Sequence, residues 1–219
     1  KLFMKKLFFV LISILFLNNV VLGQEVRVFD FTEEELKSLE VRKVRGADAK
    51  TKYSLGSDEN GNFLKAEANN AASGLGKEVK INLNITPILN ITWKVEKDLK
   101  GINERSKKGH DYAARVFVVK KTGVTPLSNR AMNYVFSSNE NINVSHPSPY
   151  TKKSIDFVLA TTLENLNEWV TVKVNVKKHF KEFHNLDLEE INGVAIMADT
   201  DNSKLNSISY YQNIYFSEE

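Results

Sequence analysis

The chain has 219 residues, 30 Lys and Arg against 27 Asp and Glu, 42% hydrophobic residues and no cysteine. The missing thiol excludes disulfide staples, thiolate metal centres and cysteine-linked lipid, so the fold stands on packing alone. Three basic residues, Lys1, Lys5 and Lys6, sit at the N-terminus; the other 27 balance the 27 acids, which argues against nucleic acid or an anionic membrane as the main partner.

Those three lysines precede an apolar run from Leu7 to Leu17 and a short stretch ending at Val21-Leu22-Gly23, the three-part layout of a secretory signal peptide. Such a run reaches only ~16 Å as a helix, roughly half the hydrocarbon thickness, so no permanent membrane span is expected. Residues 1–23 are expected to be removed after Gly23, leaving 24–219 as a single domain exported to the periplasm or secreted.

From there the dominant pattern is period-two alternation in short runs, which reads as strands. The runs are Val26 to Phe31, Val79 to Leu83, Ile91 to Val95, Ala114 to Lys120, Met132 to Ser137, Ile155 to Leu159, Trp169 to Val176, Val194 to Asp199 and Ile208 to Phe216. Asn60-Gly61 between Lys52–Leu55 and Phe63–Ala66 predicts a tight hairpin. Two helical patches interrupt the pattern: Glu33 to Leu39, opened by Thr32 with Glu35 at capping-box spacing, and Lys177 to Phe183. Nine to eleven short strands with one or two short helices predict a mostly β fold, a jelly-roll-like antiparallel β-sandwich.

Chemistry-bearing residues concentrate in two segments. In Lys108 to Val119, an extended chain puts Asp111, Ala113, Arg115 and Phe117 on one face, and Tyr112, Ala114, Val116 and Val118 on the core face. Arg115 among apolar neighbours needs a carboxylate partner, and it reads either as half of a structural ion pair or as a ligand-facing cation on an open sheet. In Gly193 to Ser203, an apolar strand ends in Asp199, Asp201 and Asn202, oxygen ligands suited to calcium, although the same residues are ordinary turn formers and the EF-hand Gly and Glu are missing. Without a metal, Asp199 is the natural partner of Arg115. No other cofactor is expected.

Asp111 with Asp199 or Asp201 also qualifies as the acid and base of a glycoside hydrolase, whose mechanism needs two carboxylates across a sugar. Aromatic residues mark several strands, among them Trp93, Tyr134, Trp169, Tyr210 and Tyr211, and rings beside Asn, Asp and Arg are what a sugar-binding sheet displays. Tyr210 and Tyr211 are adjacent, so one of them points away from the core.

Three motifs resemble an uncharacterised family of secreted bacterial proteins, catalogued as a domain of unknown function. They are Lys-x-Gly-x-Asp-Tyr-Ala-Ala-Arg-Val-Phe-Val-Val at 107 to 119, Asn-Tyr-Val-Phe-Ser at 133 to 137, and Gly-Val-Ala-Ile-Met-Ala-Asp-Thr-Asp-Asn at 193 to 202, followed by Tyr-Tyr-Gln-Asn-Ile at 210 to 214. The match is colinear from about Phe29 to Phe216, with His110 standing where the family usually carries an acid. The resemblance implies an exported β-sandwich and selects Asp111, Arg115, Asn133, Tyr134, Asp199 and Asp201. Together these readings predict a non-catalytic module that binds a glycan or similar small polar ligand through Arg115, Asn133, Tyr134, Asp199 and Tyr211. The alternatives are a polysaccharide hydrolase using an Asp pair and a purely structural envelope protein.

Overall fold

The computed structural model describes residues 23–39, 41–125 and 128–219, so the expected signal peptide lies, apart from Gly23, outside the described residues. In chain order these form β1 (Glu25–Phe29), α1 (Glu33–Ser38), β2 (Val41–Lys43), β3 (Lys52–Asp58), β4 (Gly61–Asn69), β5 (Ala72–Asn82), β6 (Ile88–Lys97), β7 (Ala114–Lys120) and β8 (Arg130–Ser137). Then follow β9 (Ser145–Ser148), β10 (Thr151–Thr161), α2 (Thr162–Asn165), β11 (Val170–Asn175), α3 (Val176–His184), β12 (Glu190–Asp199) and β13 (Asn206–Ser217). Among them no helix is long and apolar enough to cross a membrane.

Two sheets make the sandwich. One has the order β11-β6-β13-β4-β3, with β1 also paired to β13; the other runs β2-β5-β12-β7-β8-β10-β9. Alternation along each strand sends one set of side chains between the sheets, where Leu64, Trp93, Tyr211 and Phe216 of the first meet Leu75, Val116, Tyr134, Phe136 and Ile196 of the second. Pairing is antiparallel as expected with one departure: β10 lies parallel to β8.

Local chemistry accounts for the turns. The β3–β4 hairpin closes on Glu59-Asn60, one residue earlier than Asn60-Gly61: Asp58 Oδ1 accepts the Asn60 N–H at 2.9 Å, and Gly61 opens β4 at φ +117°. Both expected helices form. Thr32 Oγ1 caps α1 by accepting from Glu35 N at 3.2 Å, while Glu35 Oε2 reaches back to the amides of Asp30 and Phe31 at 2.8 Å each. Asn175 caps α3, and Asn185 ends it in the left-handed conformation.

What positions the site is the outer face of the seven-stranded sheet. On β7, β8, β10 and β12 the residues between core positions point outward: Arg115 and Phe117, Asn133 and Val135, Asp156 and Val158, and Ala195, Met197 and Asp199. Loops 98–113, 138–150 and 200–204 are tied over this face. Buried Glu104 fastens two of them, accepting from Ser137 Oγ, Ser138 N at 2.8 Å and Asn139 Nδ2 at 3.0 Å; its own burial raises its pKa. Gly109 permits the fit, since a Cβ there would lie 2.6 Å from the Asn103 carbonyl oxygen.

Candidate functional site

Arg115 and Asp199 find each other across β7 and β12. The guanidinium is 3% exposed and donates from Nε to Asp199 Oδ1 at 2.9 Å and from Nη2 to Asp199 Oδ2, a two-point pairing that compensates the desolvation of both charges. Nη2 also reaches the His110 carbonyl at 3.4 Å, and the rings of Tyr112 and Phe117 lie 5.0 and 5.6 Å from the guanidinium carbon. Nη1 donates to nothing among the described residues. The ion pair expected from sequence is therefore present, and it lines a pocket.

Asp111, Asp199 and Asp201 converge, with oxygens within 4.8 Å of one another. The oxygens of two of them already serve as acceptors. Asp111 accepts from Asn202 Nδ2 at 2.8 Å, Asn202 N at 3.2 Å and Ser203 N at 2.6 Å; Asp199 accepts the Tyr112 amide at 3.1 Å besides Arg115. The Arg115 guanidinium thus occupies the cation's place beside Asp199. Asn202, expected as a third metal ligand, instead presents its N–H groups to Asp111 and its carbonyl oxygen to the Tyr150 hydroxyl at 2.6 Å. As acid and base for sugar cleavage, Asp111 and Asp199 are poorly placed, because their oxygens are spent on loop amides and on Arg115. Asp201 differs: burial, and then the neighbouring Asp111, push its pKa up.

A second buried pair lies alongside and was not legible in the sequence. His110 Nε2 stands 2.7 Å from Asp156 Oδ2, Asn133 Nδ2 donates to Asp156 Oδ1, and His146 Nδ1 lies 3.7 Å from the same carboxylate. Burial holds the His110 pKa below the ordinary imidazole value despite the pull of Asp156; Arg115 adds to the lowering. The one available signal was an acid interrupting the apolar run Ile155 to Leu159, the same signal that marked Arg115.

Around these groups opens a pocket of about 500 Å³, with Phe117, Met197, Asn133, His110 and Arg115 at its base and Tyr150, 55% exposed, at its mouth. Asn133 is buried, and while its amide nitrogen is spent on Asp156, its Oδ1 has no partner. Arg45, Asp201 and Asn202 complete a wall carrying both signs of charge.

Two expected contacts lie elsewhere. Tyr134 follows Asn133 on a strand, so it must face the opposite way; it is buried in the core, its hydroxyl 3.4 Å from His179 Nδ1. Tyr211 also faces inward, its hydroxyl donating to the Met197 carbonyl at 2.7 Å and accepting the Arg115 amide at 3.0 Å, while neighbouring Tyr210 points out. Tyr112 departs from its expected face too. Strand β7 begins only at Ala114, so Tyr112 leaves the alternation and packs on the outer side with Val135 and Val158.

Comparison with known proteins places the chain in a family but not with an activity. Residues 37–215 match the model of a family described as a protein of unknown function (DUF3047), and no curated protein matches. Among solved structures, a thermostable cellulase derived from Cel12A of Rhodothermus marinus is 10% identical, with 89% of this chain and 99% of that one covered at a TM-score of 0.44. Trichoderma harzianum endoglucanase 3 from family GH12 is 7% identical, covering 90% and 97% at 0.44. The xyloglucanase domain of NopAA from Sinorhizobium fredii, solved with cellobiose, is 10% identical, covering 81% and 92% at 0.43. Likeness at this level transfers neither activity nor site residues.

Proposed function

The chain belongs to the DUF3047 family of proteins of unknown function, and we propose that it is an exported, non-catalytic binding module that takes an uncharged glycan in the pocket around Arg115. The observation that carries this reading is the pocket's lining: partly exposed Phe117 and Met197 lie beside the charged groups of both signs, and the exposed ring of Tyr150 stands at the opening. Phe117 and Met197 offer an apolar bed for a sugar ring, and Arg45 and Asp201 beside the Arg115–Asp199 pair offer polar groups of both signs, which suits a polyhydroxylated neutral ligand better than a charged one.

A glycan-array screen followed by titration calorimetry tests it. Wild-type protein is expected to retain at least one neutral glycan, with Tyr150→Ala binding it about tenfold more weakly, roughly 1.4 kcal/mol. A screen in which no neutral glycan is retained would overturn the reading.

The His110–Asp156 pair favours a second reading, acid–base catalysis on the same ligand. A neutral imidazole oriented by a carboxylate is the arrangement of a general base acting on water. Release of new reducing ends from a bound polysaccharide, abolished by His110→Gln with binding intact, would establish it over the non-catalytic reading.

A further inference from the structure

Asn-Gly occurs twice in the chain, at 60–61 and at 192–193. The dipeptide is chemically reactive: the main-chain nitrogen after an asparagine can attack that side chain's carbonyl carbon, and a following glycine leaves the approach unhindered because it has no Cβ. Residue order gives both copies the same standing. Their surroundings in the fold separate them.

Asn192 is held at both ends of its side-chain amide. Its Oδ1 accepts the Lys121 amide at 2.9 Å, and its Nδ2 donates to Glu190 Oε1 at 3.2 Å. Gly193 lies inside β12 between two neighbours, opposite Glu78 of β5 and Val119 of β7, and a Cβ there would be 3.3 Å from the Lys77 carbonyl oxygen. For the nitrogen to reach its target, Asn192 must give up both bonds and the sheet must part around Gly193. Asn60 has neither restraint. It is exposed at the tip of the β3–β4 hairpin, its side-chain amide bonds nothing among the described residues, and a Cβ at Gly61 would meet nothing within 4 Å. The pair of Asp58 with Gly61 is the last of the ladder, with no pair beyond it to hold the turn closed, so local opening costs little there.

We propose that Asn60 is a site of spontaneous covalent modification, converting to aspartate and isoaspartate, and that the fold protects Asn192 from the same reaction. The Gly61 nitrogen loses its proton to hydroxide and bonds to Asn60 Cγ; the Cγ–Nδ2 bond breaks, and ammonia leaves carrying a proton from water, so the protons balance. Water then opens the five-membered succinimide. Breaking the bond from nitrogen to Cγ gives aspartate, and breaking the bond from nitrogen to the main-chain carbonyl gives isoaspartate, whose backbone is one carbon longer. No oxidant, reductant or catalyst is needed. Either product adds a carboxylate next to Asp58 and Glu59, and isoaspartate also displaces the closing pair of the hairpin.

The test holds the native protein at pH 8 and follows it by peptide mapping with mass spectrometry. The peptide carrying residues 60–61 is expected to gain one mass unit, with one ammonia released per conversion, and to react about tenfold or more faster than the peptide carrying 192–193. In urea, where neither copy is held, the two should react alike. Asn60→Gln, which would need a six-membered ring, should suppress most of the ammonia release from the native protein. No mass gain at 60–61 in the native protein, equal native rates for the two peptides, or a rate difference that survives in urea would overturn the proposal.

Discussion

The outer faces of the two sheets share an alternating strand pattern and treat charge in opposite ways. On the six-stranded sheet Lys65 and Glu67 pair at 3.1 Å while about a third exposed, and Lys94 lies over the ring of Tyr210 at 4.4 Å, beside Trp169 and Phe63. On the seven-stranded sheet Arg115, Asp199, Asp156 and Asn133 occupy equivalent outward positions yet are sealed under loops. The first face is an ordinary solvated surface. The second carries charges that had to be paired before they could be covered, and the cover makes a pocket. The difference teaches that strand pattern alone does not decide whether an outward polar residue is decoration or architecture; the loops above it do.

The sharpest way to break this contrast is to strip one partner from the sealed pair. Arg115→Ala leaves Asp199 buried with only the Tyr112 amide, and a loss of about 3–5 kcal/mol is expected in chemical denaturation; the double substitution Arg115→Met with Asp199→Leu should recover a large part of it. A recovery of nothing would mean that the pair holds the covering loops by more than charge compensation.

Acid offers a gentler probe, which reaches the sealed face through His110 and helix α3 through His179 and His184. His110, His179 and His184 all have pKa values lowered chiefly by burial, so the unfolded chain binds their protons more readily than the folded one. Stability from these groups is complete above the unfolded imidazole value of about 6.5 and is lost as pH falls through it toward the lowered folded values. Denaturation midpoints recorded between pH 8 and 5 should decline, and His110→Gln, which can still donate to Asp156, should flatten part of the decline. The smallest effect belongs to the open face: Lys65→Ala should change stability by no more than about 1 kcal/mol, and less at high salt.

Much of this architecture can be read from residue order. Alternation located most of the strands, including β7 at Ala114–Lys120, and the misfit of a lone Arg in an apolar strand pointed to Asp199. What escaped has physical causes. β9 has four residues with Pro147 among them, tolerable because it is an edge strand but too short to show a period, and α2 is a single turn capped by Thr161. The His110–Asp156 contact joins residues 46 positions apart through a loop whose path no local pattern encodes. The error over Tyr134 was avoidable, because consecutive strand residues cannot share a face with each other, and Asn133 had already claimed the outer one.

The parallel pairing of β10 with β8 has a consequence for the order in which the molecule comes together. Antiparallel neighbours can be joined by a two-residue turn, but a parallel neighbour is reached only after the chain has travelled back the length of the sheet, and residues 138–150 make that return. The return leg supplies Ser148 and Tyr150 to the pocket and Asn139 to the Glu104 clasp. The closure is nonetheless a local one: Met132 and Ile155 pair across 23 residues, against 78 for Phe117 with Ala195 and 119 for Gly76 with Ala195, so chain entropy opposes β12 joining its neighbours more than it opposes β10 joining β8.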